Sequence, residues 1–296
     1  MPYFTTDESP VANIMAQHDP KKLTDKEFNN FRKLIYRETG ISLSEHKRAL
    51  VMSRLAKRLR LHGLPSYKDY YDFIVSSGNE DELREMTNAI TTNKTSFFRE
   101  DYHFKFLETN LFPKLVQKGI NGAARNLRIW SAGCSTGEEP YTIAMTAHNY
   151  FENHSNWKID ITATDIDTNV LERSNNGVYP LELADQIPDK LLNKYFMRGI
   201  DENAGYFRAS NNLRSLIHFQ QLNLNHPSWD IKGKFNIIFC RNVIIYFDRP
   251  TQKKLISRFI QHLEPNGLLM LGHSESLHGH DLDLLNLGKN IYQLAE

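Results

Sequence analysis

Two clusters of small and acidic residues have the types and spacing of a nucleoside site. They are GCSTG at 133–137 with Glu138 and Glu139 behind it, and TDID at 164–167, about 30 residues further on. Asp165 can accept both hydroxyls of a ribose. The small-residue turn lets backbone approach a ligand closely, and the helix that follows presents its N-terminus to it. There is no G-x-G-x-x-G, so a pyrophosphate is a poor fit. Glu138 and Glu139 would repel a phosphate while suiting an ammonium or a sulfonium. S-adenosylmethionine carries both of those cations beside an adenosine and no phosphate, and it is the cofactor expected. The plainer reading is that the two glutamates only favour the helix dipole and that Asp165 caps the next helix.

Such a site needs strands and helices to hold it, and the local patterns supply them. Ile129, Trp130 and Ala132 read as the end of a buried strand, and Ile143 and Met145 continue a helix begun at Glu138. Ile159, Ile161 and Ala163 alternate into ATDID as a second strand. FNIIFC at 235–240 is a third, ending at Arg241 and Asn242. GLLMLG at 267–272 and residues 290–294 follow as further strands. Between them, residues 195–197, 206–208 and 217–220 read as three short strands, predicting a small antiparallel insert at about 193–222. The fold class expected is α/β, a Rossmann-like domain over 101–296 preceded by a small all-α domain.

The N-terminal third reads differently. Residues 1–22 look like a flexible arm, and 23–90 like a helical domain. Thr24 with Glu27 forms a capping-box pattern, and Phe28, Phe31, Leu34 and Ile35 make a helical apolar stripe. A helix from about Ser44 to Arg60 places Val51, Met52, Leu55 and Leu59 on one side. Lys47, Arg54, Lys57 and Arg58 gather on the other. A solvated face explains this pattern, and so does docking on an acidic partner, since between Lys47 and Arg60 no acidic residue balances the charge. TTNKTSFFRE at 91–100 is too polar for a core helix; it reads as a linker anchored by Phe97 and Phe98.

Composition narrows the function classes. The formal net charge of +1 over 296 residues gives no global attraction to nucleic acid or membrane. No apolar run approaches the roughly 20 residues needed to span a bilayer, and MPYFTTDESP lacks the basic-then-apolar form of a secretion signal. Cys134 and Cys240 do not form a paired framework, which points to a reducing cytoplasm. His273, His278 and His280 lack helical i, i+4 spacing; a solvated loop and no metal are expected there.

The runs TTNKTSFFRE, WSAGCSTGEEPY, ATDID, KYFMRG, CRNVIIYFD and GHSESL, in this order, resemble the chemotaxis receptor methyltransferase family (CheR) from about Leu23 to the C-terminus. The resemblance implies an S-adenosylmethionine-dependent protein-glutamate O-methyltransferase acting on the cytoplasmic domain of chemoreceptors. It implies a helical domain, a linker contributing to the site and a methyltransferase domain. By resemblance, cofactor contacts fall to Asn93, Thr95, Arg99, a glutamate of the GEE turn, Asp165, Asn223, Leu224, Arg241 and Asn242. Of the two glutamates Glu138 is taken, as it lies nearer the turn. Arg99 and Tyr246 would stand beside the methyl group. A receptor tail peptide at the β insert and a monomeric chain are also expected.

A glutamate with a pKa of about 4.3 is ionised at neutral pH and needs no general base. Alignment is what remains, with Arg99 fixing the carboxylate plane and Tyr246 directing one lone pair. Two other readings stand beside this one: a non-catalytic module that binds S-adenosylmethionine or docks receptors, and a nucleic-acid methyltransferase. Arg99, Asp165, Asn242 and Tyr246 argue against the first. CRNVIIYF, where an Asp/Asn-Pro-Pro-Tyr/Phe motif would stand, argues against the second.

Overall fold

The computed structural model describes residues 22–76, 78–122, 124–154, 156–277 and 282–294, and the backbone of a two-residue strand β1 (Tyr3–Phe4). Helix α1 (Asp25–Thr39) opens on the expected capping box. The Thr24 hydroxyl accepts the Glu27 N–H at 3.3 Å, and the Glu27 carboxylate accepts the Thr24 N–H at 2.8 Å. The helix ends where Gly40 takes φ 76°. With α2 (Arg48–Leu61), α3 (Tyr67–Val75) and α4 (Glu80–Ile90) it encloses a core of Phe28, Phe31, Leu55, Tyr70 and Met86.

Helix α2 departs from its expected faces. Val51, Leu55 and Leu59 form the buried stripe, while Met52 is 37% exposed. Arg58 turns inward and pairs with Glu82, whose carboxylate also accepts the Tyr70 hydroxyl at 2.6 Å. The acidic balance missing from the local sequence thus arrives from α4. Arg54 donates to the carbonyls of Ile90 and Thr91, where α4 gives way to the linker. Lys47 and Lys57 remain exposed.

After the linker come α5 (Tyr102–Phe106), a π-helical turn at Leu107–Leu111 and α6 (Phe112–Ile120). The chain then runs β2 (Asn126–Ala132), α7 (Glu138–Phe151), β3 (Lys158–Asp165), α8 (Thr168–Asn176), β4 (Val178–Pro180), α9 (Asp189–Tyr195), β5 (Phe196–Gly199), β6 (Tyr206–Ala209), α10 (Asn211–Arg214) and β7 (Ile217–Gln221). It closes with β8 (Phe235–Cys240), α11 (Arg249–Gln261), β9 (Leu263–Leu271), β10 (Leu284–Asn286) and β11 (Ile291–Leu294). The main sheet has the order β10-β11-β9-β8-β2-β3-β7; β7, β3, β2, β8 and β9 are parallel, and β11 and β10 are antiparallel. The chain leaves β2 outward to β3 and β7, then returns to β8 on the other side of β2. That reversal opens a crevice at the carboxyl ends of β2 and β8.

Alternation along β2 feeds two cores. Leu127 and Ile129 join the layer of α5, α6 and α7, whereas Trp130 and Ala132 join the layer of α11.

The antiparallel insert is real but differently composed. Its sheet is β1-β5-β6-β4, so its third antiparallel strand is Val178–Pro180, ahead of the expected range. Ile217–Gln221 belongs instead to the main sheet, parallel to β3 at its edge. Tyr3–Phe4, inside the expected arm, pairs in parallel with Arg198 and Gly199. Residues 5–21 lie outside the described residues.

Candidate active site

A cavity of about 570 Å³ opens at the carboxyl ends of β2, β3 and β8, and the helical domain supplies its outer wall. The turn after β2 forms the floor. Gly133 has φ +81°, and a Cβ there would lie 2.4 Å from Val243 Cγ2, so only glycine fits. The N–H groups of Gly133 and Cys134 both donate to Thr164 O, at 2.7 and 2.9 Å, locking the turn to the end of β3.

Asp165 faces this turn. One of its oxygens accepts the Ser135 N–H at 2.8 Å, the other the Asp167 N–H at 3.0 Å. Asp165 also lines the cavity, and a carboxylate there can accept from a pair of vicinal hydroxyls. Burial raises its pKa to about 6, against the pull of those backbone donors.

The two glutamates part company. Glu138 is buried and turned aside, its carboxylate accepting the Thr136 hydroxyl at 2.7 Å, and it does not line the cavity. Glu139 does line it. Its carboxylate accepts the Ser131 hydroxyl at 2.7 Å and lies 3.2 Å from Arg241 Nη1. Burial pushes the pKa of both upward, in Glu139 against the attraction of Arg241. Of the two, Glu139 and not Glu138 is the glutamate that faces the cavity. Gly137, at φ 98°, starts the helix in a phase that turns the second glutamate inward.

The linker lies across the cavity, which Asn93, Thr95 and Arg99 line. Asn93 donates to Asp167 at 2.7 Å, and its carbonyl accepts the Ser135 hydroxyl at 3.0 Å. Arg99 Nη1 donates to Lys94 O at 2.9 Å. Arg241 is buried behind them, between Glu139 and Glu100. Asn242 lines the wall in a left-handed conformation, φ 59°, held by Glu275. Glu275 accepts the N–H groups of Gly272, Asn242 and Ile245 at 2.7, 2.7 and 3.3 Å.

Asn223, Leu224 and Tyr246 also line the cavity. Asn223 donates to Glu38 O at 2.5 Å, and the Tyr246 carbonyl accepts the Ser42 N–H at 2.8 Å, so both join the wall to α1 and the segment after it. Lys47 lines the rim from the helical side; Arg54, Lys57 and Arg58 do not line it. Sequence reasoning gave no role to Ser135, Glu100 or Glu275, although all three stand in runs it singled out. His273 is exposed and also bonds Glu100, and His278 and His280 lie outside the described residues. No described residues form a cluster of three metal-binding side chains, and no described helix is long and apolar enough to cross a membrane.

Fold and cavity together define a nucleoside-binding α/β protein with an added helical domain. Residues 93–292 match the family model described as CheR methyltransferase, SAM binding domain, and residues 26–91 match CheR methyltransferase, all-alpha domain. Over 292 residues the chain is 43% identical to chemotaxis protein methyltransferase 2 of Pseudomonas aeruginosa, covering 98% of this chain and 99% of the relative. It is 40% identical over 258 residues to the chemotaxis protein methyltransferase of Borreliella burgdorferi, covering 87% and 90%. Against that of Escherichia coli it is 38% identical over 275 residues, covering 93% and 92%. The chain belongs to the CheR methyltransferase family. It is an S-adenosylmethionine-dependent methyltransferase of chemotaxis.

Proposed function

We propose that this enzyme methylates glutamate side-chain carboxylates of chemoreceptors, giving methyl esters, and that the cavity between its two domains is where transfer occurs. The observation that carries this reading is the gathering of Asp165, Glu139, Arg99 and Tyr246 around one cavity at the sheet's switch point. S-adenosylmethionine, when bound, supplies an activated methyl on a sulfonium. The Asp165 carboxylate suits its ribose, and Glu139 offers a negative charge to its cationic end. Asn93, Thr95, Asn223, Leu224, Arg241 and Asn242 shape the rest of the wall.

The substrate carboxylate is already ionised at neutral pH, so the chain has no proton to remove. Arg99 can hold that carboxylate in plane by a charge-assisted pair, and the Tyr246 phenol can donate to one oxygen. Their work is to bring oxygen and methyl carbon to about 3 Å in line with the sulfur. Lys47, at the rim, meets the acidic surface that carries the target glutamate, with Lys57 one helical face further out. Arg54 and Arg58, engaged inside the protein, drop out of the docking role. The outer edge of β5 is a second contact, where an extended receptor tail would add as a strand in the place of Tyr3–Phe4. The chain acts as a monomer.

The test is transfer of labelled methyl from S-adenosylmethionine to receptor-containing membranes, with and without the protein. Label released as methanol by mild alkali supports a glutamate ester. Alkali-stable label on protein, or label on nucleic acid, overturns it.

A further inference from the structure

Phe98 and Glu100, on either side of Arg99, both take left-handed backbone conformations, with φ 51° and 55°. Neither is glycine, so this turn persists only where its surroundings hold it. Four residues do so. The Phe97 N–H donates to Gln186 Oε1 at 2.9 Å, and the Phe98 N–H to Thr142 Oγ1 at 3.2 Å. Arg241 Nη2 donates to the carbonyl of Arg99 and lies 3.3 Å from the Glu100 carboxylate. The other Glu100 oxygen accepts both the backbone N–H of His273, at 3.1 Å, and its Nδ1–H, at 2.8 Å.

Arg241 is therefore buried between Glu139 and Glu100, with its side chain 2% exposed. Its remaining nitrogen, Nε, has no hydrogen-bond partner among the described residues. His103 closes the cluster from below. Its Nε2–H donates to Lys289 O at 3.1 Å, so Nδ1 is a bare lone pair, 3.8 Å from Glu100. Burial and the neighbouring Arg241 charge lower the His103 pKa to about 4. Burial would raise that of Glu100, but the His273 bonds and the Arg241 charge hold it at about 2. The cluster at neutral pH thus contains an ionised Glu100, a neutral His103 and a charged Arg241.

We propose that Glu100 is a positioning residue for methyl transfer. Together with Arg241 it clamps the Phe98–Glu100 turn in its strained form and thereby sets where the Arg99 guanidinium stands in the cavity. The proposal rests on the cavity's being the methyl-transfer site. Glu100 does not line that cavity; it acts through Arg241 and the backbone of Arg99. The strain identifies the geometry as imposed: a relaxed turn would carry the guanidinium elsewhere. A buried ion pair kept only for stability would not need to end on the carbonyl of a cavity residue.

The test compares Glu100→Gln, which keeps size but removes charge, with Glu100→Asp, which keeps charge. Turnover on receptor membranes, calorimetric affinity for S-adenosylhomocysteine, melting temperature and amide exchange across residues 97–103 are measured for each. In Glu100→Gln we expect kcat to fall roughly 10- to 100-fold, since small misplacement of a positioned group costs that much. Affinity for S-adenosylhomocysteine is expected to change by less than about threefold, amide exchange in the turn to rise, and Glu100→Asp to recover part of the rate. Unchanged kcat, or loss of rate only in step with melting temperature and cofactor affinity, overturns the proposal. If the wild-type protein transfers no methyl to receptors, the function reading fails instead. Exchange then still decides the clamp: no change in Glu100→Gln removes it.

Discussion

The carboxylate of Glu275 accepts the N–H of Asn242 at 2.7 Å, tying the loop after β9 to the strained residue that follows β8. Glu275 is only 2% exposed, and its oxygens serve the Gly272 and Ile245 N–H groups as well. Replacing it by Ala strands three backbone donors in a site water does not readily reach. We expect Glu275→Ala to destabilise the fold by about 3 kcal/mol and to weaken S-adenosylhomocysteine binding. Urea unfolding and calorimetry check both. Stability within error of wild type would mean that water replaces the carboxylate.

Cofactor affinity is expected to depend on pH through Asp165, whose pKa burial raises to about 6 in the unliganded protein. Accepting ribose hydroxyls needs the ionised form, so protons compete with the ligand. Affinity for S-adenosylhomocysteine will be flat above about pH 6 and fall by up to about tenfold per unit below it. Asp165→Asn will bind more weakly, with a flatter profile. The effect on stability of the unliganded chain has the opposite sign. A folded pKa raised above the ordinary 3.8 contributes stability below that value, and the contribution disappears as pH rises through about 6. Calorimetric titrations across this range decide the first point, and identical profiles for wild type and Asp165→Asn would remove the ribose assignment.

Glu139 and Glu138 are separable. Glu139→Gln removes a charge that faces the cavity and also half of Arg241's neutralisation, so it will weaken binding of the cationic cofactor. Glu138→Gln leaves the cavity wall as it is and will change affinity little. Equal losses, measured by calorimetry, would reinstate the first glutamate of the turn as a contact.

Tyr246→Phe will lower turnover while leaving cofactor affinity nearly intact, because the hydroxyl is assigned to the substrate. Wild-type kcat at saturating receptor would make Tyr246 a packing residue.

The four cations of the helical domain will divide. Lys47→Glu will slow methylation at subsaturating receptor and reduce its dependence on salt. Arg58→Glu will act on stability, losing roughly 3 kcal/mol by leaving Glu82 buried beside a like charge. Receptor titrations at two ionic strengths, together with unfolding curves, separate these effects. Methylation slowed equally by both changes, with stability intact, would restore the four-residue docking face.

Much of this arrangement could be read in the sequence because it is local. The strand, turn and helix around residues 133–139, the capping box at Thr24 and the carboxylate ending β3 are all set by neighbours in the chain. What escaped reading depends on partners far away. Residues 217–220 alternate as any half-covered strand does, and nothing in them says whether they pair with the insert or, as they do, with β3. Val178–Pro180 is too short to stand out from its turn. Arg58 looked unbalanced because Glu82 is 24 residues away. The inward phase of Glu139 needed the backbone angle of Gly137.

The cavity has one wall from each domain, and this bears on how the protein comes apart. A ligand seated there touches residues of both, adding its binding free energy to an interface otherwise held by contacts such as Tyr36 with Asp248, at 2.8 Å, and Asn88 with Thr168, at 2.9 Å. The empty chain is then free to melt in two steps, helical domain and sheet domain separately. The loaded one will melt as a single cooperative unit.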